Sequence, residues 1–252
     1  MSKVPIAVQL FTLRNEAARD FVGTLREVAD AGYHGVEFAG YGGLTARDLR
    51  QILDDFGLKA AGSHVGFDAL RKDIERQLDY NRELGSRYIV CPSLPQSLHR
   101  DAAGFRQAAG ILDEIGHRCR SAGFTFCYHN HAFEFQTFDG RYGLDILYGG
   151  SRPENVQAEI DVYWVKKGGA DPVEFIRRYA GRAPLIHLKD MTGDERATFA
   201  EVGEGVLDFE AIFAAAEEGG VQWYIVEQDQ CARPPVESVK ISLNNLRRWG
   251  KV

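Results

Sequence analysis

Residues able to hold a cation or move a proton recur along the chain, each at or just past the end of a short apolar run. The densest group is FCYHNHAFEF, with His129, His131 and Glu134. Positions 129 and 131 differ by two, so the two imidazoles share a face if a strand continues through them, and Glu134 lies within reach in the following loop. AEIDVYW ends an apolar run on Asp161. PLIHLKDM places His187 inside one, with Lys189 at i+2 on the same face, and WYIVEQDQ closes one on Glu227. Imidazoles and carboxylates gathered in one place are the donor set of a divalent-cation site. A free imidazole is a proton acceptor near neutral pH, and an ammonium such as that of Lys189 can hold an oxyanion or a hydroxyl. Each feature also has a plainer reading: Asp161 as the N-cap of a helix, Lys189 and Asp190 as surface charge, and the His-Asn-His stretch as a self-stabilising polar loop. Gln9, Glu37 and His64 close earlier apolar runs, as substrate-bonding or structural groups.

These residues can act together only if the fold brings them to one place. The apolar runs predict strands at Val4–Leu10, His34–Phe38, Leu58–His64, Tyr88–Cys91, Phe124–Tyr128, Val156–Ile160, Leu185–Leu188 and Trp223–Val226. They are short and do not alternate strictly, as expected of strands buried on both faces of a parallel sheet. Between them lie amphipathic stretches at helical spacing, such as Phe21-Leu25-Val28-Ala29 and Leu49-Ile52-Leu53-Phe56, the latter with Thr45 as its predicted N-cap. Gly32, Gly57, Gly85, Gly123 and Gly220 follow five of these stretches, where a left-handed cap is wanted. Eight strand-then-helix units without a linker predict one (β/α)8 TIM barrel domain over residues 1–252. A doubly wound open sheet would place a glycine-rich phosphate turn after its first strand, and VQLFTLRNE has none. In such a barrel the strand ends and the loops after them form the site. Burying this many polar groups there without a use is costly.

The chain carries 30 Lys and Arg against 36 Asp and Glu, a formal net charge of −6. That balance disfavours nucleic acid as a partner. Its four cysteines form no CxxC pair, and a chain of 252 residues does not need disulfides, so a cytoplasmic setting is expected. No apolar run approaches the length of a membrane span.

On YHNHAFEF, IDVYW, HLKDM, VGEGVLDF and the closing VEQD, the sequence resembles the sugar phosphate isomerase/epimerase family of xylose isomerase-like barrels over nearly its whole length. That family includes tagatose epimerases, inosose dehydratases and endonuclease IV. The resemblance implies one divalent metal ion (Mn, Mg, Zn or Co) held by residues after strands five to eight, and Asp161, His187 and Glu227 match three of these ligands. Where many members read Glu-Asn-His after the fifth strand, this chain reads His129-Asn130-His131. Either His129 replaces the glutamate or Glu134 reaches back. A third carboxylate better neutralises a hard dication, which favours Glu134 and leaves His129 for substrate. Members often pair, so a homodimer is a further expectation.

The chemistry this implies is proton abstraction beside the carbonyl of a small keto-sugar or polyol. The metal acts as Lewis acid on an enediolate, His131 is the first candidate for base and Glu227 the second, and Lys189 assists. His64, Glu37, His129, Gln9 and Glu204 of the VGEGVLDF loop are the substrate-binding candidates. Returning the proton gives isomerisation or epimerisation; losing a β-hydroxyl gives dehydration, as in inosose- or 3-keto-glycoside-type lyases. No arginine cluster marks a phosphate site, so the expected substrate is unphosphorylated. A metal-dependent endonuclease and a catalytically inactive sugar-binding barrel are the rival readings; the acidic balance opposes the first, and the missing fifth-strand glutamate favours the second.

Overall fold

Strands buried on both faces pair in parallel only through crossover connections, which the amphipathic stretches supply. The computed structural model, which describes residues 3–252, shows eight parallel strands closing into one barrel. They are β1 (Ile6–Gln9), β2 (Gly35–Phe38), β3 (Lys59–His64), β4 (Tyr88–Cys91), β5 (Thr125–His129), β6 (Gln157–Asp161), β7 (Leu185–Leu188) and β8 (Trp223–Val226). Each pairs with its neighbours in sequence, and β8 closes on β1 with Ala7 opposite Ile225. The bounds expected for β4, β7 and β8 coincide with those observed. β5 and β6 lie one residue further along than expected, so His129 and Asp161 are the last residues of their strands. Thr45 caps its helix by accepting from Asp48 N, and Gly32 and Gly57 end theirs in the left-handed conformation, at φ 97° and 69°.

The two-residue period of each strand separates an outer core from an inner one. Ile6, Val8, Phe126, Tyr128, Ile186, Leu188, Tyr224 and Val226 belong to the large apolar cluster that includes the helix faces. Ala7, Cys127, Leu185 and Ile225, which alternate with them, belong to a small separate cluster inside the barrel. Two residues further along each of these strands, the same inward parity gives Gln9, His129, His187 and Glu227. The barrel is therefore packed with apolar side chains at one end and ionisable ones at the other. Two short hairpins extend the loops after β5 and β7, Thr137–Phe138 with Arg141–Tyr142 and Asp190–Met191 with Phe199–Ala200. Among the described residues no helix is long and apolar enough to cross a membrane.

Candidate metal centre and active site

The inward parity of β5 to β8 brings four side chains to one point. His129, Asp161, His187 and Glu227 each offer one ligand atom, and all four atoms lie within 4.8 Å of one another. A deeper group, Glu37, His64, Glu159 and His187, meets the same condition and shares His187. His187 joins the two through its two ring nitrogens. Nε2 lies 2.8 Å from Glu37 Oε2 and 3.3 Å from Glu159 Oε2, while Nδ1 lies 3.1 Å from Glu227 Oε2. His64 Nε2 sits 2.7 Å from Glu159 Oε2 and 3.1 Å from Glu37 Oε2, and Gln9 Nε2 donates to Glu37 Oε2 at 2.7 Å. Room for the Glu37 carboxylate depends on Gly62 across the strand pair, where a Cβ would stand 2.7 Å from Glu37 Oε1.

The electrostatics follow from burial against pairing. Burial alone would lower the His64 pKa, but Glu37 and Glu159 outweigh it and raise the imidazole to about 10; the same two carboxylates raise His187. Burial pushes the Asp161 and Glu227 carboxyls up, and the Lys189 ammonium more than offsets it, holding Asp161 below and Glu227 well below the usual range. Lys189 is fully buried at i+2 from His187, as the strand period predicts, and touches Asp161, Glu227 and Asp229 at 3.0, 2.8 and 2.6 Å.

The donor set fits a divalent cation. Both ring nitrogens of buried His129 lack a hydrogen-bond partner, an arrangement that costs free energy unless something else takes the lone pair. Asp161 divides its carboxylate: Oδ1 accepts from Trp164 N at 3.0 Å as the N-cap of the next helix, while Oδ2 faces the Lys189 ammonium at 3.0 Å and His129 Nε2 at 3.4 Å. The capping and the site readings of Asp161 thus hold together, one oxygen for each. Asn130 fixes its backbone, accepting from Asp161 N and donating to Asp161 O. In the deeper group, the contacts of His187 Nε2 with Glu37 and Glu159 orient the ring and leave Nδ1 for the cation.

Three expectations change. Glu134 is in neither group: its carboxylate accepts from Tyr128 Oη at 2.7 Å and from His131 N at 2.8 Å, so His129 is the residue that β5 supplies. Glu204 is not at the cavity. The VGEGVLDF loop winds around the buried Asp190 carboxylate, which accepts from the backbone N–H groups of Gly203, Gly205 and Leu207, and Glu204 is turned onto Asn245 of the last helix. A Cβ on Gly205 would lie 2.3 Å from Asp190 Oδ1, which is why the loop needs glycine there. Gln9 and Glu37 are fully buried and do not line the cavity: Glu37 touches His64 and His187, and Gln9 holds Glu37. Sequence reasoning missed Glu159, Asp229 and the role of Asn130. Glu159 and Asp229 both carried a signal, Glu159 two residues before Asp161 in the same strand and Asp229 a polar residue two after Glu227 at the last strand end, but neither was given a role.

Burial raises the Glu134 carboxyl to about 7 despite its hydrogen bonds. A raised acid favours the folded state while protonated, so this contribution is full below the unfolded pKa near 4.5 and is lost as pH rises to about 7. The wild-type protein is expected to lose up to about 3 kcal/mol over that window. Glu134→Gln, which keeps an acceptor for His131 N, should not lose it. Chemical denaturation at a series of pH values checks this; parallel curves for the two proteins would refute it.

Above the two groups opens a cavity of about 310 Å³, lined by His64, His129, His131, Glu227 and Asp229 with Phe11, Ala39, Pro92 and Ser93. No arginine or lysine lines it. His131 packs against His129 and Trp164 at ring separations of 4.9 and 5.4 Å, and its Nδ1 is buried without a partner. Burial, then His129 and Lys189, lower its pKa to about 3. A larger cavity of about 660 Å³ lies beside the helix Phe209–Glu218 and Trp249 and contains neither group.

A family model described as Xylose isomerase-like TIM barrel matches residues 25–249. The chain is similar to an inosose dehydratase of Geobacillus kaustophilus, at 26% identity over 82% of this chain and 79% of the relative. A crystal structure of a sugar phosphate isomerase/epimerase from Parabacteroides distasonis superposes with a TM-score of 0.85 at 27% identity, over 100% of this chain and 96% of that one. The structure of an IolI protein with a binding zinc atom shares the fold at a TM-score of 0.75 and 14% identity, over 96% and 97% of the two chains.

Proposed function

The chain belongs to the xylose isomerase-like TIM barrel family, and on that premise we propose that it removes a proton from the carbon beside the ketone of an unphosphorylated keto-sugar or keto-polyol, with a divalent cation held by His129, Asp161, His187 and Glu227. The observation that carries this reading is the meeting of those four side chains beside the neutral imidazole of His131. When bound, the cation supplies Lewis acidity, which makes a C–H next to a carbonyl a stronger acid. Two imidazoles and two carboxylates suit zinc, cobalt or manganese better than magnesium, which prefers oxygen ligands.

The chain's own groups do the rest. His131 borders the cavity and takes the proton. Burial keeps it neutral and therefore ready to accept, and also makes it a weak base, so it depends on an acidified substrate carbon. His64 lines the same cavity and is held protonated by Glu37 and Glu159, which suits it to give a proton to a second carbon or to a departing hydroxyl. Phe11, Ala39 and Pro92 form an apolar wall that limits water around the reacting carbons. The curated relatives named inosose dehydratase favour loss of water; the isomerase/epimerase structure favours return of the proton. Both begin with the same abstraction.

The cavity wall carries no arginine or lysine, and its protonated imidazole, His64, is already held by Glu37 and Glu159, so a phosphoryl group meets the carboxylates of Glu227 and Asp229 without a cationic partner of its own. An unphosphorylated ketose or inosose is expected to exceed its phosphate ester in kcat/KM by at least about tenfold, the ratio a 1.4 kcal/mol difference gives. Turnover with metal-loaded protein in D2O, followed by NMR, measures this ratio and separates loss of water from isomerisation in one experiment. Preference for the phosphorylated compound would overturn the substrate class.

A further inference from the structure

Two positive charges have a claim on the same two oxygens. Lys189 Nζ lies 3.0 Å from Asp161 Oδ2 and 2.8 Å from Glu227 Oε2, and both carboxylates belong to the group that fits a cation. Its shortest contact is the third, 2.6 Å to Asp229 Oδ2, and Asp229 belongs to neither ligand group. Asp161 is fully buried, whereas the Asp229 side chain is 25% exposed and borders the cavity. We infer that Lys189 is a built-in stand-in for the metal, that the incoming cation displaces its ammonium from Asp161 and Glu227, and that Asp229 is the positioning residue that receives it. The inference rests on the reading that the outer group binds a cation.

Charge balance supports the exchange. Three carboxylates against one ammonium leave two negative charges, which one dication cancels. The loaded site then consists of a cation held by Asp161 and Glu227 and an ammonium held by Asp229, so each of these three carboxylates keeps a positive partner. The rings of Trp164 and Phe199, with centroids 5.4 and 5.6 Å from Nζ, stabilise the ammonium independently of the two shared oxygens. Exchange of one cation for another also explains how this many buried carboxylates are tolerated before the metal arrives. On Asp229 the ammonium stands at the cavity edge, placed to donate to a substrate oxygen.

The test is the affinity of the metal-stripped protein for Zn²⁺ alone, measured against a chromogenic chelator. Lys189→Met removes the competitor and should bind Zn²⁺ at least about tenfold more tightly than the wild type. Asp229→Asn leaves the ammonium only the shared carboxylates and should bind about tenfold more weakly, and this loss should vanish in the Lys189→Met background. If Lys189→Met does not fold, Lys189→Gln makes the same comparison without the charge. Equal or weaker binding by the folded Lys189 variant would overturn the inference. So would an Asp229 effect that persists undiminished in the double variant, because Asp229 would then act on the metal directly. Failure of both the wild type and the Lys189 variant to bind Zn²⁺ would instead remove the metal centre itself, and this inference with it.

Discussion

Asp161→Ala and His187→Ala are each expected to abolish the divalent-cation binding proposed for this site. Removing an outer-shell partner alone typically costs about 10–100-fold in metal affinity, so loss of a direct ligand should exceed about a hundredfold. Metal content after dialysis, measured by elemental analysis, should fall from near one equivalent to background. Both side chains are also structural. Asp161 caps a helix and faces Lys189, and His187 touches Glu37 and Glu227, so each alanine leaves a buried charge short of a partner. That alone costs about 3–5 kcal/mol, so the milder Asp161→Asn, which keeps an acceptor for Trp164 N, belongs in the same experiment with circular dichroism as a folding check. Glu134→Gln supplies the contrast, since Glu134 bonds Tyr128 and His131 and should leave metal content unchanged. Retention of metal by folded Asp161 and His187 variants, or its loss in Glu134→Gln, would show that the ligands have been misassigned.

The second large effect concerns the base. His131→Ala should slow solvent deuterium exchange into a keto-sugar by about 10²–10⁴-fold, the usual worth of a positioned proton acceptor. Because His131 is outside both ligand groups, bound metal should remain and KM should move little. The neutral His131 imidazole persists down to about pH 3, so any acid limb of the rate above about pH 5 belongs to another group. Exchange at the wild-type rate in His131→Ala would transfer the role to another residue at the cavity, with Glu227 first in line. Loss of metal along with activity would instead make His131 a support for the centre.

The barrel was legible because its signal is local and repeated. Each helix-glycine-strand phrase, from DAGYHGVEF to EGGVQWYIVE, declares one unit, and three of the eight strands fall on the residues expected. The two one-residue shifts, in β5 and β6, had consequences. They put His129 and Asp161 inside their strands, where pleat parity and not loop geometry aims them. Glu134 looked like a ligand because charge counting asked for a third carboxylate. In the folded protein its oxygens are taken by a tyrosine hydroxyl and a backbone N–H a few residues away.

The sequence by itself determined the strand parity, and with it that His187 and Lys189 share a face and that Asp161, at the end of its strand, and Glu227, just past the end of its own, stand at one mouth. It could do so because alternation along a strand depends only on the chain's own covalent geometry. Which of these groups touch was decided only by closure of the barrel, which sets the offset between neighbouring strands. Closure brought Glu159 and Glu37 onto the two histidines, gave Lys189 three carboxylates and turned Glu204 away with the loop around Asp190. Contacts between strands far apart in sequence depend on that offset, and no periodicity within a single strand encodes it.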